Sequence, residues 1–245
     1  MAKKIIIGNM KTKMTYDEVR EYIKELKGNI KYKAVILLPS SIYLPYFKKL
    51  NVKLGLQNIF EANEGAYTGE ILPIQAKSMK IKYTLVGHSE RRKNSKETNQ
   101  IINKKIKAAL EQDMGIVLCI GETIEEKNMM ETEEVLKREI YTALKGIDNL
   151  KNIVIAYEPI WSIGTGKTPT KRELTKTIKF IKSFVKEMKD GQEVKVLYGG
   201  SVSEKNIKSL NTIEEIDGYL IGGASCNAKE FLNIIEEVKL EKESK

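Results

Sequence analysis

A chain of 245 residues, 41% hydrophobic and 31% charged, has material for a sizeable core, and no apolar run approaches the roughly 20 residues of a membrane span. The net charge of +9 comes from 42 basic and 33 acidic residues. It would suit nucleic acid or the steering of a small anion, but the lysines alternate with glutamates, as in EYIKELK and REIYTALK, and no basic stripe with aromatics occurs, so nucleic acid is not expected as a partner.

KIII (4–7) is the first β-prone run, followed by the helix-period segment YDEVREYIKEL (16–26) with Thr15 as its N-cap. AVILL (34–38), KLGLQ (53–57) and YTLVG (83–87) come next. NQIINKKIKAALEQ (99–112) precedes IVLCI (116–120), and EEVLKREIYTALK (133–145) precedes IVIAY (153–157). RELTKTIKFIKSFVKEM (172–188), for which Thr168 before Pro169 is the predicted cap, leads to VKVLY (194–198), and GYLIG (218–222) is the last run. Short, nearly continuous apolar strands alternating with helices predict a parallel sheet covered on both faces. Eight such units in about 250 residues match a closed (β/α)8 barrel, read as one domain over 1–245. An open, doubly wound sheet is the alternative left by this pattern. The opening MAKKIII is too short for a signal peptide. Cys119 and Cys226 form neither a disulfide framework nor a metal-ligand spacing, so a reducing cytoplasm and no membrane are expected.

In a barrel, chemistry collects where strands end. The first run is followed by Gly8-Asn9-Met10-Lys11 and the fourth by Gly87-His88-Ser89-Glu90, which holds the chain's only histidine. The sixth is followed by Glu158-Pro159, the seventh by Gly199-Gly200-Ser201 and the eighth by Gly222-Gly223-Ala224-Ser225. Taken singly, Lys11 reads as a surface lysine, Glu158 as a strand-end cap, His88 as a satisfied polar group and the glycines as tight turns. Together they stand at one end of five strands. Paired glycines let bare backbone N–H groups approach an anion. A carboxylate can remove a proton beside a carbonyl, and an imidazole or ammonium can stabilise the oxygen that becomes negative. With no metal-ligand set and no nucleotide motif, the set predicts proton transfer on a small phosphorylated carbonyl compound.

The tail of EPIWSIGTGKTPT (158–170) imitates a nucleotide-binding loop. That motif needs glycine five residues before Gly166, where Trp161 stands. A lid fits better: Gly164 and Gly166 supply flexibility between the stiff ends at Pro159 and Pro169, and closure would exclude water.

The blocks GNMK (8–11), GLQN (55–58), EGAYTGE (64–70), VGHSERR (86–92), CIGE (119–122), AYEPIWSIGTGKTP (156–169), YGGSV (198–202) and DGYLIGGAS (217–225) resemble the triosephosphate isomerase family across nearly the whole chain. The resemblance implies that Glu158 is the catalytic base, His88 the electrophile, Lys11 and Asn9 the charge-stabilising pair of the first loop, and Glu90 a further active-site carboxylate. It also implies that Gly164, Ser201, Gly222 and Gly223 hold the phosphate through backbone N–H groups. The implied reaction interconverts dihydroxyacetone phosphate and D-glyceraldehyde 3-phosphate without cofactor, in a homodimer whose loop around Thr68 reaches the partner near its Lys11. The first loop departs from the family's Asn-Trp-Lys-Met-Asn, reading Asn9-Met10-Lys11-Thr12-Lys13, which leaves the dimer contact open. Pro39-Ser40 stands where two prolines are common. Cys119 matches a family cysteine and reads as packing, whereas Cys226 replaces a typically apolar residue. Another phosphate-binding barrel enzyme, or a barrel with a non-catalytic binding role, are the alternative readings.

Overall fold

Eight parallel strands close on themselves in sequence order: β1 (Ile5–Asn9), β2 (Val35–Leu38), β3 (Lys53–Leu56), β4 (Tyr83–Val86), β5 (Gly115–Ile120), β6 (Ile153–Tyr157), β7 (Lys195–Tyr198) and β8 (Gly218–Ile221). The computed structural model describes the backbone of residues 3–243 and the side chains of residues 3–240. Closure is made by β8 pairing with β1, where Ile5 lies opposite Gly218 and Gly8 opposite Ile221. This register excludes the open sheet.

The period-two alternation of strand side chains divides the apolar residues into two layers. Ile7, Ile36, Leu38, Leu85, Val117, Cys119, Ala156, Leu197 and Leu220 fill the barrel lumen. Their neighbours Ile6, Ile116, Leu118, Ile155, Tyr198 and Tyr219 face outward, into the layer shared with the helices. Both faces are therefore buried, which is why the strands are apolar throughout rather than alternating in sequence.

The outer helices include Tyr16–Leu26, Asn99–Glu111, Thr132–Ala143, Lys171–Met188 and Ala228–Glu243. The first four fall where the 3.6 period predicts them. Short helices at Pro73–Ser78, Ser89–Asn94, Ile124–Asn128 and Ile207–Asn211 are too brief to carry a readable period. Thr15 caps the first helix, with its N–H donating to Glu18 at 2.7 Å. The predicted cap at Thr168 is incorrect: the helix starts at Lys171 and its cap is Thr170. The Thr170 hydroxyl accepts from Glu173 N–H at 3.2 Å and the Glu173 carboxylate accepts from Thr170 N–H at 2.7 Å, a reciprocal box that Thr168 lies too early to make.

Alternation also aims the mouth. Asn9 lies two residues beyond lumen-facing Ile7, and Glu158 two beyond lumen-facing Ala156, so both point over the barrel axis. His88 would face outward by the same count from Leu85. Gly87, at φ +70°, breaks the alternation and turns the imidazole inward. Gly121 answers a different need: a Cβ there would fall on the Glu158 backbone carbonyl, so only glycine lets the strand-six exit cross β5 this closely.

Candidate active site

A cavity of about 260 Å³ opens at the C-terminal ends of the strands. Asn9, Lys11, His88, Glu158, Gly164, Ser201, Gly222 and Gly223 all line it, so the structure gathers eight of the nine predicted site residues around one space. The ninth, Glu90, reaches the cavity through Lys11, whose Nζ lies 2.5 Å from Glu90 Oε1.

Glu158 is buried, and its carboxylate sits between two groups of the β4 exit. His88 Nε2 lies 3.3 Å from Oε1, and Ser89 N–H donates to Oε2 at 3.4 Å. His88 is the N-cap of helix Ser89–Asn94, and its Nδ1 accepts from Glu90 N–H at 3.2 Å. An accepting Nδ1 carries no hydrogen, so the ring's hydrogen is on Nε2, facing Glu158 and the cavity.

Lys11 has φ +52°, a left-handed conformation that costs an L-residue about 1 kcal/mol or more. It is held there by Asn9 Oδ1, which accepts from Lys11 N–H at 3.2 Å, and by Gln57, whose side-chain amide donates to Lys11 O at 2.8 Å. Burial pushes the Glu90 carboxyl up, but the hydrogen bond and charge of Lys11, with His88 and Lys13, outweigh it and hold the group below the usual carboxylate range. The Glu90 carboxyl thus carries its charge at neutral pH.

Behind this layer a buried brace fixes the β4 and β5 exits. Arg92 donates to Gly87 O at 2.7 Å, to Cys119 O at 3.1 Å and to Asn99 Oδ1, and its guanidinium lies 3.2 Å from Glu139 Oε1. Glu139 Oε2 accepts from Gly121 N–H at 2.9 Å. Burial pushes the Glu139 carboxyl up to about 7, because Arg92 and the Gly121 N–H offset only part of the desolvation. Cys119 is buried, and burial followed by the nearby Glu158 carboxylate raises its thiol well above the ordinary range, in keeping with packing rather than reactivity.

The contacts around the predicted lid were missed in the sequence. Glu122 accepts from Trp161 Nε1 at 2.9 Å and from Tyr157 OH at 3.1 Å, and Lys127 stacks 3.8 Å from the Trp161 ring centroid. Ser162 Oγ lies 3.2 Å from Tyr198 OH and accepts from Ser201 N–H at 3.1 Å, joining the base of the predicted lid to the predicted phosphate turn. The Trp and Glu of these blocks were visible signals. Ser162 was not, since serine after tryptophan carries no pattern. Lys13 also lines the cavity, although it read as part of a subunit contact.

In class, this is a (β/α)8-barrel enzyme with a carboxylate and an imidazole facing each other at the C-terminal mouth. The family model described as "Triosephosphate isomerase" matches residues 4–238. Curated relatives named triosephosphate isomerase include those of Clostridium tetani (strain Massachusetts / E88), 40% identical over 246 residues covering 96% of each chain, and Mycoplasmopsis pulmonis (strain UAB CTIP), 41% identical over 251 residues covering 96% of this chain and 98% of the relative. That of Clostridium botulinum (strain Okra / Type B1) is 42% identical over 246 residues, with 96% and 99% covered. The chain belongs to the triosephosphate isomerase family.

The brace gives a pH dependence of known sign. A carboxyl with its folded value raised from 4.5 to about 7 keeps its proton over an interval in which the unfolded chain releases one. Stability from this group therefore falls as pH rises from about 4.5 to 7. Glu139→Gln retains an acceptor for Gly121 N–H and removes the titration. Its urea midpoint is expected to change less between pH 5 and 7.5 than that of the wild type, and equal changes in both proteins would refute the assignment.

Proposed function

We propose that this chain interconverts dihydroxyacetone phosphate and D-glyceraldehyde 3-phosphate by moving one proton between adjacent carbons through an enediolate. The observation that carries the reading is the Glu158–His88 pair, 3.3 Å apart over the barrel axis, in the same small cavity as the Ser201 and Gly222-Gly223 turns. The Glu158 carboxylate takes a proton from the carbon beside the carbonyl, the electron pair moves onto the carbonyl oxygen, and His88 Nε2–H donates to that oxygen. Glu158 returns the proton to the neighbouring carbon, while the hydroxyl on the first carbon gives up its proton to become the new carbonyl and the former carbonyl oxygen gains one, a transfer between oxygens that His88 serves. Lys11 and Asn9 stabilise the developing charge, with Glu90 orienting Lys11. Backbone N–H groups at Gly164, Ser201, Gly222 and Gly223 receive the phosphate. No cofactor enters any step.

Glu158→Asp draws the carboxylate back by one methylene. A misplacement of about 1 Å costs roughly 100-fold or more, so kcat should fall by about 100- to 1000-fold with KM and circular dichroism little changed. Near wild-type turnover would remove Glu158 from the role of base.

The lid reading rests on Gly164 and Gly166, at φ +71° and +75°, in an exposed tip between Ser162 and Pro169, both buried. A closed lid keeps water from the enediolate. Deleting residues 163–166 is expected to release methylglyoxal and inorganic phosphate during turnover. If neither product forms, water exclusion is not the lid's task.

For assembly we take a homodimer built through the loop around Thr68. The loop from 64 to 70 is exposed, and Tyr67 packs against Phe60 with ring centroids 4.3 Å apart and planes tilted by 41°, closing over Gly65 and leaving Thr68 at the surface. Sedimentation equilibrium should give a dimer for the wild type and a shift toward monomer for Thr68→Arg. A monomeric wild type would end this reading. No helix among the described residues is long and apolar enough to cross a membrane. Both cysteines are free, which supports the cytoplasmic location expected from the sequence.

A further inference from the structure

Lys13 is the charged group of the cavity that the reaction scheme leaves unused. The left-handed turn at Lys11 brings both lysine side chains to the same cavity, although they stand only two residues apart. Lys13 Nζ lies 3.8 Å from where a Cβ on Gly223 would stand, beside the glycine turn at the end of β8. Among the described residues no carboxylate pairs with it, whereas Lys11 is held against Glu90 at 2.5 Å. The other charged side chains lining the cavity are the carboxylates Glu158 and Glu230, the latter accepting from Glu204 N–H at 3.5 Å. With Lys11 held by its partner, Lys13 is the one lysine of the cavity lining left to offset the Glu158 and Glu230 carboxylates toward a phosphorylated substrate. An unpaired ammonium beside backbone donors is what a doubly charged phosphate requires.

We propose that Lys13 is a substrate-binding residue, supplying the free ammonium that draws the phosphate group onto the Gly222-Gly223 turn. The inference rests on the isomerase reading for the identity of the substrate, but not for the presence of a phosphate site. Lys13 acts on the phosphate and not on the reacting carbons, so its effect belongs in affinity and in encounter.

The test compares wild type, Lys13→Met and Lys13→Arg by steady-state kinetics and by calorimetric titration with inorganic phosphate. Lys13→Met should raise KM and weaken phosphate binding by roughly 3- to 10-fold, leave kcat within about twofold, and flatten the fall of kcat/KM with added salt. Lys13→Arg, which retains the charge, should recover most of the loss. Unchanged KM and unchanged phosphate affinity in Lys13→Met would overturn the proposal. So would a KM increase that vanishes at protein concentrations high enough to restore assembly, because Lys13 would then be acting at a subunit contact. A wild type without isomerase activity that still binds phosphate through Lys13 would sink the isomerase reading and leave this one standing.

Discussion

Closure of the barrel is the constraint from which the site follows. Once β8 pairs with β1, the lumen must be filled, and it is filled by alternate apolar residues of every strand but β3. The side chain two positions beyond the last lumen residue has no core left to enter and projects into the mouth. Ile7 therefore implies an inward Asn9, and Ala156 an inward Glu158. A one-residue slip in either strand would turn its polar side chain into the helix layer and an apolar side chain into the cavity. The packing that stabilises the barrel and the placement of its chemistry are thus one geometric fact.

Where the chemistry needs a direction that alternation does not supply, the backbone departs from regular geometry. Gly87 turns His88 inward through a left-handed φ, and Lys11 adopts a left-handed φ without being glycine. The second departure is the more informative, since a lysine has no intrinsic reason to accept that cost. It persists because Asn9 and Gln57 fix the loop from both sides. Arg92 and Glu139 do the same work for the β4 exit, spending a buried ion pair to tie together carbonyls and an N–H that would otherwise stand at strand ends unsatisfied.

How much of this was legible depended on the range of the signal. The strand pattern is a local, repeated feature, and each of the eight strands falls within a residue or two of its predicted run. The mouth residues were legible because strand ends are legible. What the sequence hid were relations between distant segments. Arg92 with Glu139 is separated by 47 positions and Ser162 with Ser201 by 39, and neither pair carries a spacing that could mark it. The cap at Thr170 failed for a narrower reason: two threonines flank Pro169, and only the box with Glu173 distinguishes them. Lys13 was read through its neighbours as a contact residue, since the turn that brings it to the cavity is set by φ at Lys11 and not by residue type.

Several of the site groups are partnered with one another. Glu158 rests on Ser89 N–H and His88, Lys11 on Glu90, and Ser201 N–H on Ser162 Oγ. On the proposed reading, substrate binding is an exchange of partners: Ser201 N–H passes from Ser162 to phosphate, and Ser162 is the residue at the lid's base. The phosphate thereby loosens the contact that ties the lid to the β7 turn as it makes its own. Binding energy at the unreactive end of the substrate is in this way connected to movement of the segment that begins at Glu158.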